Sequence, residues 1–118
     1  MKRDVRLFVK DIADAIRRIE EFMGQLSFDE FVKDIKTNSA VVWQIQIIGE
    51  ATKNIPQSLR RKYPSIPWKE MAGMRDRIVH SYFGISYEIV WKVVRERLPE
   101  IGTRIDLILD DFERGSLL

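Results

Sequence analysis

The chain has 118 residues and 13.9 kDa, which fits a single domain spanning 1–118 with no room for a separate catalytic or regulatory unit. Twenty basic against 18 acidic residues leave a formal charge of +2, a mild excess that by itself marks no nucleic-acid surface. No cysteine is present, so disulfides and thiolate metal sites are excluded, and one histidine cannot complete a zinc site.

From Asp4 to Met23, apolar residues fall at Val5, Phe8, Ile12, Ile16, Ile19 and Phe22–Met23. Those steps of three and four predict one amphipathic helix, stopped at Gly24. Ser27-Phe28-Asp29-Glu30 reads as a capping box opening a short helix to about Ile35. Asn38 or Ser39 is the expected cap of a third helix to about Asn54, ahead of Pro56. Its run Val41–Ile48 is apolar on most sides and predicts a central helix, with a buried strand as the alternative.

Pro56 to Tyr63 predicts a short helix, and Pro64-Ser65-Ile66-Pro67 a turn that places Pro67 as the first residue of a helix to about His80. Ser86 is the expected cap of a long last helix, which Pro99 should kink or restart before it resumes from Ile101 to Phe112. Trp43, Trp68 and Trp91 are expected as core or interface anchors. The fold class is therefore all-α, an up-and-down bundle of four to five helices. No run approaches the roughly 18 apolar residues of a membrane span. The N-terminal residues lack the apolar stretch of a signal peptide, so the expected location is cytoplasmic.

The chemistry concentrates in Met74-Arg75-Asp76-Arg77-Ile78-Val79-His80-Ser81-Tyr82-Phe83-Gly84. Arg75 is a permanent cation suited to phosphate, His80 titrates near neutral pH, and Tyr82 carries a reactive phenol. On a helix of about 100° per residue, Arg75 and Tyr82 fall about 20° apart, and Asp76 and His80 sit at i and i+4. Arg75 and His80 would be about 140° apart, and converge on one phosphate only if the helix ends near His80 or a second chain contributes. Each residue has a plainer role open to it. His80 is then a structural histidine at a helix end, Arg75 and Arg77 are surface cations, and Tyr82 and Phe83 are core aromatics. Gly73 after Ala72 hints at a close approach of a second helix. Gln46 and Glu50 are either polar groups aimed into a site or the wet side of their helix.

These residues closely resemble the HEPN superfamily, and within it the HepT-like toxins of two-gene toxin–antitoxin modules. The resemblance covers nearly the whole chain. It rests on Ile48-Gly49-Glu50-Ala51, on Tyr63-Pro64-Ser65-Ile66-Pro67-Trp68, and on Ala72 to Gly84 with its arginine, four residues, histidine, any residue, tyrosine pattern. Ser81 departs from the glycine expected there in many relatives, and should alter loop flexibility more than chemistry. The resemblance implies an all-α homodimer acting as a metal-independent endoribonuclease toxin of a type VII-like module. Arg75 and His80 of both subunits would be catalytic at a shared cleft, with Asp76 and Glu50 supporting or orienting and Arg75 and Arg77 holding RNA. It also implies a minimal nucleotidyltransferase antitoxin as partner, using ATP to adenylylate Tyr82. No cofactor, metal or membrane is implied. The competing class is a non-catalytic helical dimer that binds nucleic acid or docks onto a nucleotidyltransferase; a purely structural dimer is a third.

Overall fold

The computed structural model describes residues 3–80 and 84–115, and is all-α apart from one small hairpin ladder. Helix α1 spans Val5–Met23, α2 Phe28–Lys33, α3 Ile35–Lys53, α4 Gln57–Lys62, α5 Trp68–Ala72 and α6 Met74–Ile78. The two-residue strands β1 (Val79–His80) and β2 (Gly84–Ile85) follow, then α7 (Tyr87–Lys92), a π-helical stretch (Val93–Arg97) and α8 (Leu98–Glu113). There are more segments than the four or five helices expected, because short helices serve as connectors. Three rods dominate the architecture: α1, α3 and the continuous run from α7 to α8.

The core forms where their apolar stripes meet. Val9, Ile12, Ile16, Ile19 and Met23 of α1 are buried against Val41, Ile45 and Ile48 of α3 and Ile101, Ile105 and Ile108 of α8. Gly24, at φ +47°, ends α1 as expected, since a left-handed backbone is cheap only for glycine. Phe22 remains partly exposed, and Met23 takes the inward position.

Both bonds of the capping box at α2 are present, Glu30 N–H to Ser27 Oγ and Ser27 N–H to Glu30 Oε1. Neither Asn38 nor Ser39 caps α3. Asp34 does, accepting from the amide and the hydroxyl of Thr37, so the helix begins four residues earlier than expected. Asn38 is buried instead. Its amide nitrogen donates to the carbonyls of Phe31 and Val32, satisfying the end of α2. Pro67 is the N-cap of α5 rather than its first residue.

Pro99 acts on the turn before it. The Leu98 amide reaches back five residues to the Val93 carbonyl, which makes Val93–Arg97 a π turn. Proline offers no N–H to the Arg95 carbonyl and its ring would strike it, so the widened turn relieves both problems. Ser86 caps α7 through Ile89 N–H as expected. Trp68 is buried, and Trp91 packs edge-on against Phe28 and tilted against Phe31. Trp43 is no core residue: it is 60% exposed.

Candidate active site

The segment Trp68–Ile78 is one helical stretch with a dent at Gly73. The Gly73 amide still bonds Lys69 O and the Arg77 amide bonds Gly73 O, so helical hydrogen bonding continues across it. Gly73 itself has φ −94° and ψ 3°, which is why two short helices result. A Cβ placed there would meet only the carbonyls of its own turn, Lys69 and Glu70. The close approach hinted at by Ala72–Gly73 is made by Gly49 instead. A Cβ on Gly49 would sit 3.5 Å from the Ala72 carbonyl oxygen and 3.7 Å from that of Met71. Helix α3 thus carries the chemical segment directly on its backbone.

Met71, Met74 and Ile78 are buried and pin α5 and α6 to the core. Met74 and Ile78 are one turn apart, so the three residues between them turn outward. Arg75, Asp76 and Arg77 are all exposed. The Arg75 guanidinium lies 3.3 Å from the Asp76 carboxylate, with the two side chains 55% and 76% exposed. A pair this open to water is held weakly and leaves the guanidinium able to take another anion.

The helix ends at Ile78, two residues short of the expected end. Val79 is extended at φ −102° and ψ 121°, and its strand pairs Val79 with Ile85 and His80 with Gly84. The Ser86 amide closes the hairpin by donating to Ile78 O. Gly84 has φ +76°, a conformation suited to glycine. The helical angles reckoned through His80 therefore do not apply. An i, i+4 bond between Asp76 and His80 is not supplied by helix periodicity. Tyr82, with Ser81 and Phe83, lies outside the described residues.

A carboxylate not singled out in the sequence organises the cations nearby. Glu70 accepts two hydrogen bonds from Arg97, at 2.8 and 2.7 Å, and lies 3.7 Å from Arg77. The Arg97 hydrogen bonds, and the charges of Arg97 and Arg77, hold the Glu70 carboxyl below its ordinary value. Glu70 and Arg77 are seven residues apart and share a helix face, a signal the sequence did contain. Arg97 arrives from a distant turn and carried no such signal.

Glu50 lies on α3, next to the Gly49 that packs on Ala72. It is exposed, 3.8 Å from Lys53, and lines a shallow groove of about 290 Å³ with Arg3, Phe8, Trp43, Gln46 and Ile47. None of Arg75, Asp76 or Arg77 lines that groove.

A family model described as ribonuclease HepT-like matches residues 12–108. A protein of Thermococcus cleftensis named probable ribonuclease HepT is 48% identical over 106 residues, covering 90% of this chain and 96% of its own. A Methanocaldococcus jannaschii protein with an RNase designation is 46% identical over 112 residues, covering 95% and 93% of the two chains. In a second protein of that organism, whose name joins a gamma-glutamylcyclotransferase to an RNase, the chain matches 52% of the length at 37% identity. No solved structure matches the chain at a significant level.

Proposed function

Because the chain belongs to the HepT-like ribonuclease family, we propose that it is a metal-independent endoribonuclease toxin whose chemistry is carried by Arg75 and His80. The ribose 2′-hydroxyl attacks the adjacent phosphorus as a base removes its proton. The 5′-oxygen leaves with a proton from an acid, giving a 2′,3′-cyclic phosphate and a 5′-hydroxyl end. One chain has a single histidine, so a dimer supplies both proton-transfer groups, one His80 from each copy. Arg75 stabilises charge on the phosphorane, Asp76 orients the imidazole, and Arg77 adds a phosphate contact.

The observation that carries this is the end of α6 at Ile78. The angle of about 140° that a continuous helix would impose between Arg75 and His80 is thereby removed. The exposed Arg75 guanidinium stands one turn before the point where the backbone leaves the helix. Control comes from a nucleotidyltransferase antitoxin that transfers AMP from ATP to the Tyr82 phenol, with pyrophosphate leaving. The added phosphate would occupy or neutralise the guanidiniums that hold RNA.

The test is incubation of purified, unmodified protein with RNA in the presence and absence of EDTA, beside His80→Ala. Cutting that survives EDTA and is lost in the variant supports the proposal. RNA bound without turnover would point to the interaction module instead.

A further inference from the structure

Arg97, Arg104 and Asp111 follow one another at intervals of seven residues along α8 and the turn before it. Seven steps of about 100° bring each within about 20° of the last, so the three form a row with about 10 Å between neighbours. Every member of the row reaches the segment that leads into the motif. Arg97 donates twice to Glu70, Arg104 donates to the Ser65 carbonyl, and Asp111 accepts from the Tyr63 hydroxyl. The partners fall in reverse order along the chain, so the row runs antiparallel to the segment it holds.

That segment has little of its own to fix it. Pro64 and Pro67 offer no N–H, and the backbone bonds of the turn are Ile66 N–H to Tyr63 O and Trp68 N–H to Ile66 O. Helices α5 and α6 have five residues each, too short to hold themselves. Trp68, Met71, Met74 and Ile78 are buried and set the depth and rotation of the stretch. Apolar burial is non-directional, so it resists sliding along the helix axis poorly. Hydrogen bonds are directional, and three anchor points spread along α8 remove that remaining freedom. The Arg97 and Arg104 side chains are 38% and 37% exposed, and pairs so open to water act on placement more than on stability. Burial first, and then the Asp111 carboxylate, push the Tyr63 phenol up to about 12, so it keeps its proton to donate at neutral pH.

We propose that Arg97, Arg104 and Asp111 are positioning residues for RNA cutting, holding Tyr63–Glu70 in register so that Arg75 meets the scissile phosphate at the right depth. This rests on the ribonuclease proposal and goes beyond it, since none of the three has to touch RNA. Arg97 acts through Glu70, whose carboxylate also faces Arg77 at 3.7 Å. Arg104 and Asp111 act through the backbone and the ring ahead of α5. A misplacement of about 1 Å in a reacting group costs up to about 10²-fold in rate, so small slips of this segment matter.

The test compares the wild-type chain with Arg97→Ala, Arg104→Ala, Asp111→Ala and Tyr63→Phe, each confirmed folded by its thermal transition. Tyr63→Phe loses one oxygen only, and stands in for Asp111→Ala if that variant does not fold. Arg104→Lys and Asp111→Asn keep a donor and an acceptor, and Arg17→Ala, which breaks an exposed ion pair on α1, is the control. Three quantities are measured: single-turnover cutting at saturating RNA, the RNA dissociation constant, and hydrogen exchange of the amides of residues 68–77. Loss of one member should slow cutting about 10–100-fold while changing the dissociation constant less than about threefold. Exchange from 68–77 should quicken more than exchange from α1 and α3. Arg104→Lys and Asp111→Asn should regain most of the rate, and Arg17→Ala should cut like wild type. Wild-type rates in the truncated variants, no recovery in the conservative ones, or a loss seen only as weaker RNA binding overturns the positioning role and leaves the ribonuclease proposal standing. A wild type that cuts no RNA overturns the ribonuclease proposal, and the hold of α8 on the segment is then decided by exchange alone, upheld if it quickens and overturned if it does not.

Discussion

Arg97 grips Glu70 with two hydrogen bonds, 2.8 and 2.7 Å long, and so ties the π turn ahead of α8 to the segment that leads into Arg75. The same carboxylate faces Arg77 at 3.7 Å. One acidic group therefore sets where two cations near the motif stand.

The Arg97 hydrogen bonds lower the folded-state pKa of Glu70 from its ordinary 4.5. A depressed carboxylate contributes stability above its unfolded value and loses it as pH falls through the folded value. Glu70→Gln should lower the melting temperature at pH 7, and the gap from wild type should close as pH is taken down through and below the ordinary glutamate range. Melting curves of both proteins across that range check it. A gap that stays constant with pH would show that the charge on Glu70 is not what matters.

Gly49 should tolerate one methyl group and no more. At 3.5 Å from the Ala72 oxygen, an added Cβ makes ordinary contact. A mid-helix glycine costs about 1 kcal/mol relative to alanine, so Gly49→Ala should be neutral or stabilise by up to about 1 kcal/mol. Gly49→Leu should destabilise by about 1–3 kcal/mol through overpacking, and slow RNA cutting by displacing α5. Urea unfolding and a cleavage assay on both variants separate the two outcomes.

His80→Ala should cut RNA about 10²–10⁴-fold more slowly than wild type, the range for loss of a general acid–base group. Arg75→Ala should cost about 10²–10³-fold, comparable to removing one donor to a charged transition state. Arg75→Lys keeps the charge and loses the planar two-pronged contact, so it should fall between wild type and Arg75→Ala. Single-turnover rates with analysis of the RNA ends test all three. Ends lacking a cyclic phosphate would reject attack by the 2′-hydroxyl.

Co-expression with the neighbouring nucleotidyltransferase, where one is encoded, should add one or more AMP units to the peptide containing Tyr82 and abolish cutting. Intact mass and peptide mapping read this directly. A Tyr82→Phe protein that still cuts RNA and is still fully neutralised would show that the antitoxin works by occlusion.

Local signals in the sequence proved dependable wherever the physics is local. The glycine stop at Gly24, the Ser27–Glu30 capping box, the Ser86 cap and the disturbance before Pro99 each depend on atoms a few residues apart. The cap of α3 was misplaced because Asp34, Asn38 and Ser39 are all competent by type. The choice fell to Asp34 once Asn38 was needed inside to bond the end of α2.

The composition and the order of apolar and polar residues determined an all-α chain, the three long rods and the membership of Arg75, Asp76, Arg77 and His80 in one short window. Hydrophobic periodicity is a property of neighbours along the chain, so no tertiary information was required. Tertiary structure alone decided that the motif helix ends at Ile78, that Gly49 rather than Gly73 makes the close backbone contact, that Arg97 reaches Glu70, and that Trp43 is left in water. The first follows from the hairpin that pairs Val79 with Ile85, and the other three depend on which surfaces meet when separate helices pack. Burial and pairing between distant segments are not encoded in the spacing of either segment alone.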